Sequence, residues 1–258
     1  MNRSILAIST CALAIGASAL NAYAEPPQQR APTSTVQPAN QAFPGEIRLT
    51  VDARDSERRM VHVRETITGV GQDCVLLHPK SAPGMDGVGG PIDRLTGLAL
   101  SASGNRLAWE RDPVDPYAVR VKMPPGVHAI DVQFDYLSPM SPQLGGPEFN
   151  PDVLVLAWNE VLLYPAGYPA ARIPVDASVT LPDGWAFATP LQTAMSARMK
   201  TDFKRVSLES LVDNPIYAGR HWARNDLGSV VPTDLNLFAA RPESLEVQPT
   251  ELERTCCP

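Results

Sequence analysis

The sequence predicts an all-β domain, an antiparallel sandwich-like fold with one or two short helices, and three observations carry that expectation. Short runs alternate polar and apolar residues with a period of two. Clusters of Gly, Pro, Asn and Asp punctuate those runs as turns. The 26 prolines are spread along the chain and would interrupt long helices repeatedly.

Taken in order, Glu46–Val51 alternates cleanly, and Val61-His62-Val63-Arg64 resumes the pattern after the polar break Arg54–Arg59. Leu98–Ser101 runs through Ser103-Gly104-Asn105 into Arg106–Trp109, the pattern of a tight hairpin. Tyr117–Met123 reaches Pro124-Pro125-Gly126, a turn made by a fixed proline φ and a permissive glycine. Ala129–Tyr136 within Val127–Leu137 is a one-faced strand, whereas Val153–Leu156 is apolar on both faces and reads as an interior strand of stacked sheets. Val175–Leu181 stops at Pro182-Asp183-Gly184 before Trp185-Ala186-Phe187, and Asp234–Phe238 supplies a last alternating strand. Two helices are expected: one or two capped turns at Ser207–Val212, and one opening at Pro249, where proline and acids favour a start.

The ends divide the chain further. Residues 1–24 have the form of a cleaved signal peptide, with Arg3 ahead of the apolar run Ile5–Leu20 and Ala22-Tyr23-Ala24 at the cleavage point. Nothing later reaches the roughly 18 apolar residues a membrane span needs. Residues 25–44 are rich in Pro, Gln, Ser and Thr and read as a disordered tether, because they bury too little to offset their ordering entropy. Residues 45–242 form the β-rich domain, and 243–258 the start of a linking helix. The expected compartment is periplasmic where an outer membrane exists, and extracellular otherwise.

A net charge of −6, or −7 once Arg3 is removed with the signal, argues against nucleic acid or an anionic membrane as the main partner. The mature chain holds three cysteines, Cys74, Cys256 and Cys257, an odd number that is not a disulfide framework. Cys74 stands before Val75-Leu76-Leu77 and reads as a buried small hydrophobe.

The residues that hydrolytic or metal chemistry requires do not cluster. His62, His78, His128 and His221 are followed by Val, Pro, Ala and Trp, so none opens H-E-x-x-H. His78, in a loop before Pro79, is the least ordinary of the four. No G-x-S-x-G, S-x-x-K, phosphate loop or dinucleotide fingerprint occurs. Gly84–Gly90 reads as a mobile loop, and Asp52/Asp55 and Asp112/Asp115 as turn residues rather than calcium ligands. The expectation is therefore no catalytic, metal or cofactor residue on this chain.

Several stretches carry a family resemblance: Gly90-Pro91-Ile92-Asp93 with Gly97-Leu98, Arg111–Asp115 with Tyr117, and Tyr136–Pro139. Trp158-Asn159 through Leu163–Gly167, Leu181-Pro182 with Gly184-Trp185, and Ser207–Asp213 with Pro215 and Ala218-Gly219 complete it. In this order they resemble the N-terminal domain of the exported, PDZ-bearing glycyl aminopeptidases, metallopeptidase family sixty-one. The resemblance implies a β-rich domain followed by a zinc domain and a PDZ module. Zinc is implied only for that second domain, to whose ligands no residue here corresponds. The chain departs from the pattern at Pro79–Gly84, where relatives carry a tryptophan near Ser81, and at Thr255–Pro258, which resembles nothing in the family.

The expected function is thus a non-catalytic, structural or substrate-shaping domain of an exported zinc aminopeptidase. The chain would be a truncated or frameshifted copy or one half of a split gene, with a separately encoded catalytic domain as partner and peptide as substrate once assembled. His78, Pro83, Gly84, Asp93, Tyr164 and Tyr168 are the expected interface or cleft residues. Tyr164, Trp158 and Trp185 also fit the plainer role of core aromatics. The alternative function is a free-standing exported β-sandwich that binds peptide or carbohydrate through exposed aromatics. A flat apolar patch would favour the missing partner, and a concave cleft with convergent polar groups would favour a ligand.

Overall fold

The computed structural model describes residues 39–80, 92–138, 149–227 and 233–246. The signal segment, most of the tether, Pro83 and Gly84, the helix expected at Pro249 and the Cys256-Cys257 pair lie outside the described residues.

The chain opens with β1 (Ile47–Asp55), β2 (Met60–Thr68) and β3 (Asp73–Leu77), followed by a short 3₁₀ turn, Ile92–Arg94. Then come β4 (Leu95–Ala102), β5 (Asn105–Leu107), β6 (Trp109–Arg111), β7 (Ala118–Lys122) and β8 (Ala129–Leu137). After β9 (Val153–Leu156), a 3₁₀ turn at Trp158–Glu160 leads to β10 (Tyr164–Pro165) and β11 (Pro174–Thr180). The remaining strands are β12 (Ala186–Ala188), β13 (Thr193–Ala197), β14 (Lys200–Phe203), β15 (Val206–Ser207), β16 (Ile216–Gly219), β17 (His221–Asp226) and β18 (Asp234–Ala239). Helix α1 (Leu208–Val212) is a single capped turn, with the Ser210 N–H donating to the Ser207 hydroxyl at 3.1 Å.

Nine strands form the main sheet, in the order β13-β14-β11-β1-β2-β8-β4-β5 with β15 attached to β11. Its centre shows why alternation was readable. β1 buries Ile47, Leu49, Val51 and Ala53, β2 buries Val61, Val63, Glu65 and Ile67, and β8 buries Ile130, Val132, Phe134 and Tyr136. Register aligns these in cross-strand rows, such as Val179, Val51, Val63 and Phe134. Each fully buried aliphatic side chain in such rows contributes about 1.5–3 kcal/mol. Two smaller sheets, β10-β3-β7-β6 and β12-β16-β9, add Leu76, Val119, Val121, Leu154 and Ile216 to the same core. β17 and β18 pair only with each other among the described residues.

Four details differ from expectation. One pairing, β1 with β11, is parallel, because alternation reports which face a residue takes and not the direction of its partner. Val153–Leu156 is an edge strand with Leu154 and Leu156 buried and its two valines half-exposed, so its valines cover a sheet margin. The hairpin turn at Ser103 (φ 49°) and Gly104 (φ 80°) is present, but its second strand stops at Leu107. Trp109 pairs instead with Val121 in the smaller sheet, so the expected Arg106–Trp109 strand is divided between two sheets. Lastly, the end of the composition-defined tether is held: the Ala39 N–H donates to Gly167 O, the Phe43 N–H to Arg172 O, and Phe43 is buried against Tyr168 at 4.9 Å. One aromatic residue anchors a segment that its neighbours' polarity marked as loose.

Cys74 is buried, and burial pushes its thiol up to about 12, which keeps it uncharged at neutral pH. Gly45 and Gly69 meet backbone to backbone: a Cβ on Gly45 would stand 1.9 Å from Thr68 O, and one on Gly69 (φ +76°) 2.6 Å from Gly45 N. Gly45→Ala is expected to lower stability by about 3 kcal/mol. Gly104→Ala, where nothing lies within 4 Å, should cost only about 1 kcal/mol, for its left-handed backbone. Urea midpoints at unchanged slope check the difference, and equal costs would contradict it.

Candidate functional site

Ionisable and aromatic side chains from five segments meet beside the end of β3. The chain leaving β3 brings His78 and Lys80, the 3₁₀ turn Ile92–Arg94 brings Asp93 and Arg94, and the loop before β7 brings Asp115 and Tyr117. Tyr136 comes from the end of β8, Glu160 from the segment between β9 and β10, and Tyr164 from the start of β10. The loop before β7 is prepared by its own acids. The Asp112 Oδ1 accepts from Val114 N–H (2.8 Å) and Asp115 N–H (3.0 Å), and Asp115 Oδ1 accepts from Tyr117 N–H (3.1 Å). The Asp115 and Val114 amides, with the Arg120 guanidinium, hold Asp112 down at about 2. These are the turn roles expected for both aspartates. Lys80 Nζ reaches Asp115 Oδ2 at 2.7 Å and lies 5.8 Å from the Tyr117 ring.

Glu160 is the chemical centre of the cluster. It is 6 % exposed, and loss of hydration pushes its carboxyl up to about 7, despite the Tyr136 hydroxyl bonded to it and the nearby Arg94 charge. Arg94 Nη1 donates to the Tyr136 hydroxyl oxygen at 3.1 Å, forming a chain from Arg94 through Tyr136 to Glu160. His78 is fully buried, with Nδ1 3.0 Å from Pro79 O and Nε2 3.4 Å from the backbone carbonyl of Glu160. Burial outweighs those carbonyls and pulls its pKa below the ordinary histidine value, so the ring is neutral at neutral pH. A neutral ring donates once, and the shorter contact to Pro79 O takes that proton. The site thus holds a weak acid poised near neutrality, a fixed phenol and a guanidinium.

Of the expected residues, His78, Asp93 and Tyr164 belong to this cluster. Burial, with the charges of the exposed Asp93 and of Asp115, raises the pKa of Tyr117, and burial, with the charge of Asp115, raises that of the half-buried Tyr164. Tyr168 is elsewhere, packed on Phe43. Trp158 is fully buried, its Nε1 donating to Asn214 O at 3.0 Å, so it serves the core. Glu160, Arg94 and Lys80 were not singled out from the sequence. For Glu160 a signal existed: it is the only charge in the apolar run Val153–Pro165, the mark of a buried acid.

Among the described residues no group of three or more His, Cys, Asp or Glu could hold a metal ion. Nor is any helix among them long and apolar enough to cross a membrane.

Because the folded state holds the Glu160 proton more tightly than the usual value of 4.5, its contribution is complete below about pH 4.5. That contribution is lost as pH rises through about 7, on the order of 3 kcal/mol. Glu160→Gln should remove this slope and be the more stable chain at pH above 7. Thermal unfolding measured against pH tests this, and parallel curves for the two chains would contradict it.

The family described as Peptidase M61 N-terminal domain matches residues 48–220. No curated protein matches the chain. Among solved structures, an aminopeptidase N family protein from Idiomarina loihiensis superposes with a TM-score of 0.64 at 15% identity, over 75% of this chain and 32% of that one. An M1 zinc metallopeptidase from Deinococcus radiodurans gives a TM-score of 0.40 at 16% identity, over 81% and 50%. The chain therefore spans about a third of the length of the Idiomarina protein, 32%. With the family match covering most of the β-rich domain, the chain belongs to the M61 peptidase family, whose N-terminal domain it carries.

Proposed function

We propose that this chain is the non-catalytic N-terminal domain of an exported zinc aminopeptidase, with a structural and substrate-shaping role. The observation that carries the reading is the family match over residues 48–220. Beside it stands a site with acid, phenol and guanidinium groups but no metal-ligand set among the described residues. The Glu160 cluster offers what a catalytic partner's cleft uses on its non-metal side: a buried carboxyl and fixed hydrogen-bonding groups that orient a peptide. Zinc and the general base would come from a catalytic domain encoded separately or downstream. The signal-like residues 1–24 support export, to the periplasm or the exterior.

A second reading, a free-standing binding module, draws on a different place. A groove of about 890 Å³ lies between β12, β16 and the β17–β18 ribbon, lined by Phe187, Tyr217, Trp222, Asn236 and Phe238 among others. Tyr217 and Trp222 are 46 % and 42 % exposed. Its polar groups already serve each other, Trp222 Nε1 with Asn236 Oδ1 (3.2 Å) and Arg224 with Asp234.

Purified residues 25–258 with added zinc are expected to show no turnover of glycyl or alanyl substrates. Zinc-dependent, chelator-sensitive turnover would overturn the non-catalytic reading. Sequence downstream of the gene tests the partner: a zinc-domain reading frame, in any register, is the expected finding.

A further inference from the structure

Glu65 is an acid in a place that sheet packing does not ask for. It stands on the inner face of β2, 2 % exposed, in the cross-strand row Ala177, Leu49, Glu65, Val132, Leu100. Its same-face neighbours along the strand are Val63 and Ile67. No charged group from β1, β8 or the segment above acts on it: the influences on its proton are burial and the Leu163 N–H. Oε1 accepts from Leu163 N–H at 2.8 Å, and Oε2 is buried with no partner among the described residues. An apolar side chain would fill this row without leaving an oxygen unpaired. What the carboxyl supplies is an acceptor for one amide.

That amide lies in the segment that carries the site. Trp158–Tyr164 runs between β9 and β10, and it is tied at its ends by Trp158 Nε1 on Asn214 O and by Tyr164 and Pro165 pairing with Leu77 and Leu76. Between those ties, the 3₁₀ turn bonds Glu160 N–H to Ala157 O and Val161 N–H to Trp158 O. The Glu65–Leu163 bond ties the backbone of this stretch to the main sheet, beside the side-chain bond between Glu160 and Tyr136 of β8.

We propose that Glu65 is the positioning residue of the site: from inside the sheet, its carboxyl anchors the Trp158–Tyr164 segment through the Leu163 amide and so fixes where Glu160 stands. The inference rests on the reading of the Glu160 cluster as the functional site and adds how that site is held and released. Burial raises the Glu65 pKa well above its ordinary value and so favours the protonated carboxyl. Its contribution is complete below the unfolded value and is lost as pH rises through the folded one. Ionised, Glu65 would be a lone charge among Leu49, Val132, Val63 and Ile67. Hydrating it requires the segment to lift from the sheet, taking Glu160 with it.

The test follows the Leu163 amide by hydrogen exchange and Glu160 by carboxyl-carbon NMR titration, in the full chain and in Glu65→Gln and Glu65→Leu. Gln keeps the acceptor and cannot ionise, so Leu163 protection and the Glu160 midpoint should match wild type at neutral pH. At alkaline pH that protection should persist in Glu65→Gln and fall in wild type. Leu keeps the packing without the acceptor, so Leu163 should exchange roughly tenfold faster, the loss of one net hydrogen bond. The Glu160 midpoint should then drop toward the ordinary range while the Val63 and Val132 amides stay protected. Wild-type behaviour of Leu163 and Glu160 in Glu65→Leu would overturn the proposal. Should that variant fail to fold, identical alkaline protection in wild type and Glu65→Gln would overturn it equally. Neither readout needs a peptide or a catalytic partner, so failure of the peptidase reading would be seen separately.

Discussion

Everything in this domain is built on the inner face of one sheet, where strands β1, β2 and β8 align their buried residues row upon row. The constraint is geometric. Side chains alternate with a period of two, so once one residue of a strand is committed to the core, the rest of its face is committed too. Ile47, Ile67 and Ile130 form one such row, and Val51, Val63 and Phe134 another. The middle row contains Glu65, and the same rule that buries the valines beside it buries a carboxyl. The sheet cannot release that acid without shifting register, which would expose every apolar residue of β2.

This constraint connects the core to the site. Burial favours the protonated form of Glu65 and leaves its one hydrogen-bonded oxygen to hold Leu163. Three residues earlier in the same segment, Glu160 is desolvated less completely and is balanced by Tyr136 and Arg94, so it is poised near 7. Two acids of the same chemical type are thus set to different tasks by surroundings alone. His78 lies beside the arrangement, its Nε2 3.4 Å from the Glu160 carbonyl oxygen, and is kept neutral by burial.

A second surface stands apart from that cluster. The groove at the β17–β18 ribbon exposes aromatic faces whose polar neighbours are paired among themselves. The ribbon begins at His221, just past the stretch matched by the family, 48–220. Its aromatic face therefore lies at the border of the shared domain, while the Glu160 cluster lies well inside it.

The sequence by itself determined the strands and their faces. Alternation at 47–51, 61–64 and 129–136, the Ser103-Gly104 turn, the Ser207 cap and the buried Cys74 were all legible, because each depends on neighbours within a few residues. The ordered family stretches likewise pointed to the peptidase domain. Tertiary structure decided what depends on distant partners. It made β11 parallel to β1, turned Val153–Leu156 into an edge, split the chain at Ala108 between two sheets, and sent Tyr168 to Phe43. It also selected Glu160 and Glu65. Glu65 looks like an ordinary charge when read along the chain and Glu160 is marked only by its apolar run, and each acquires its chemistry from burial by distant segments, 98 residues apart between Glu65 and Leu163.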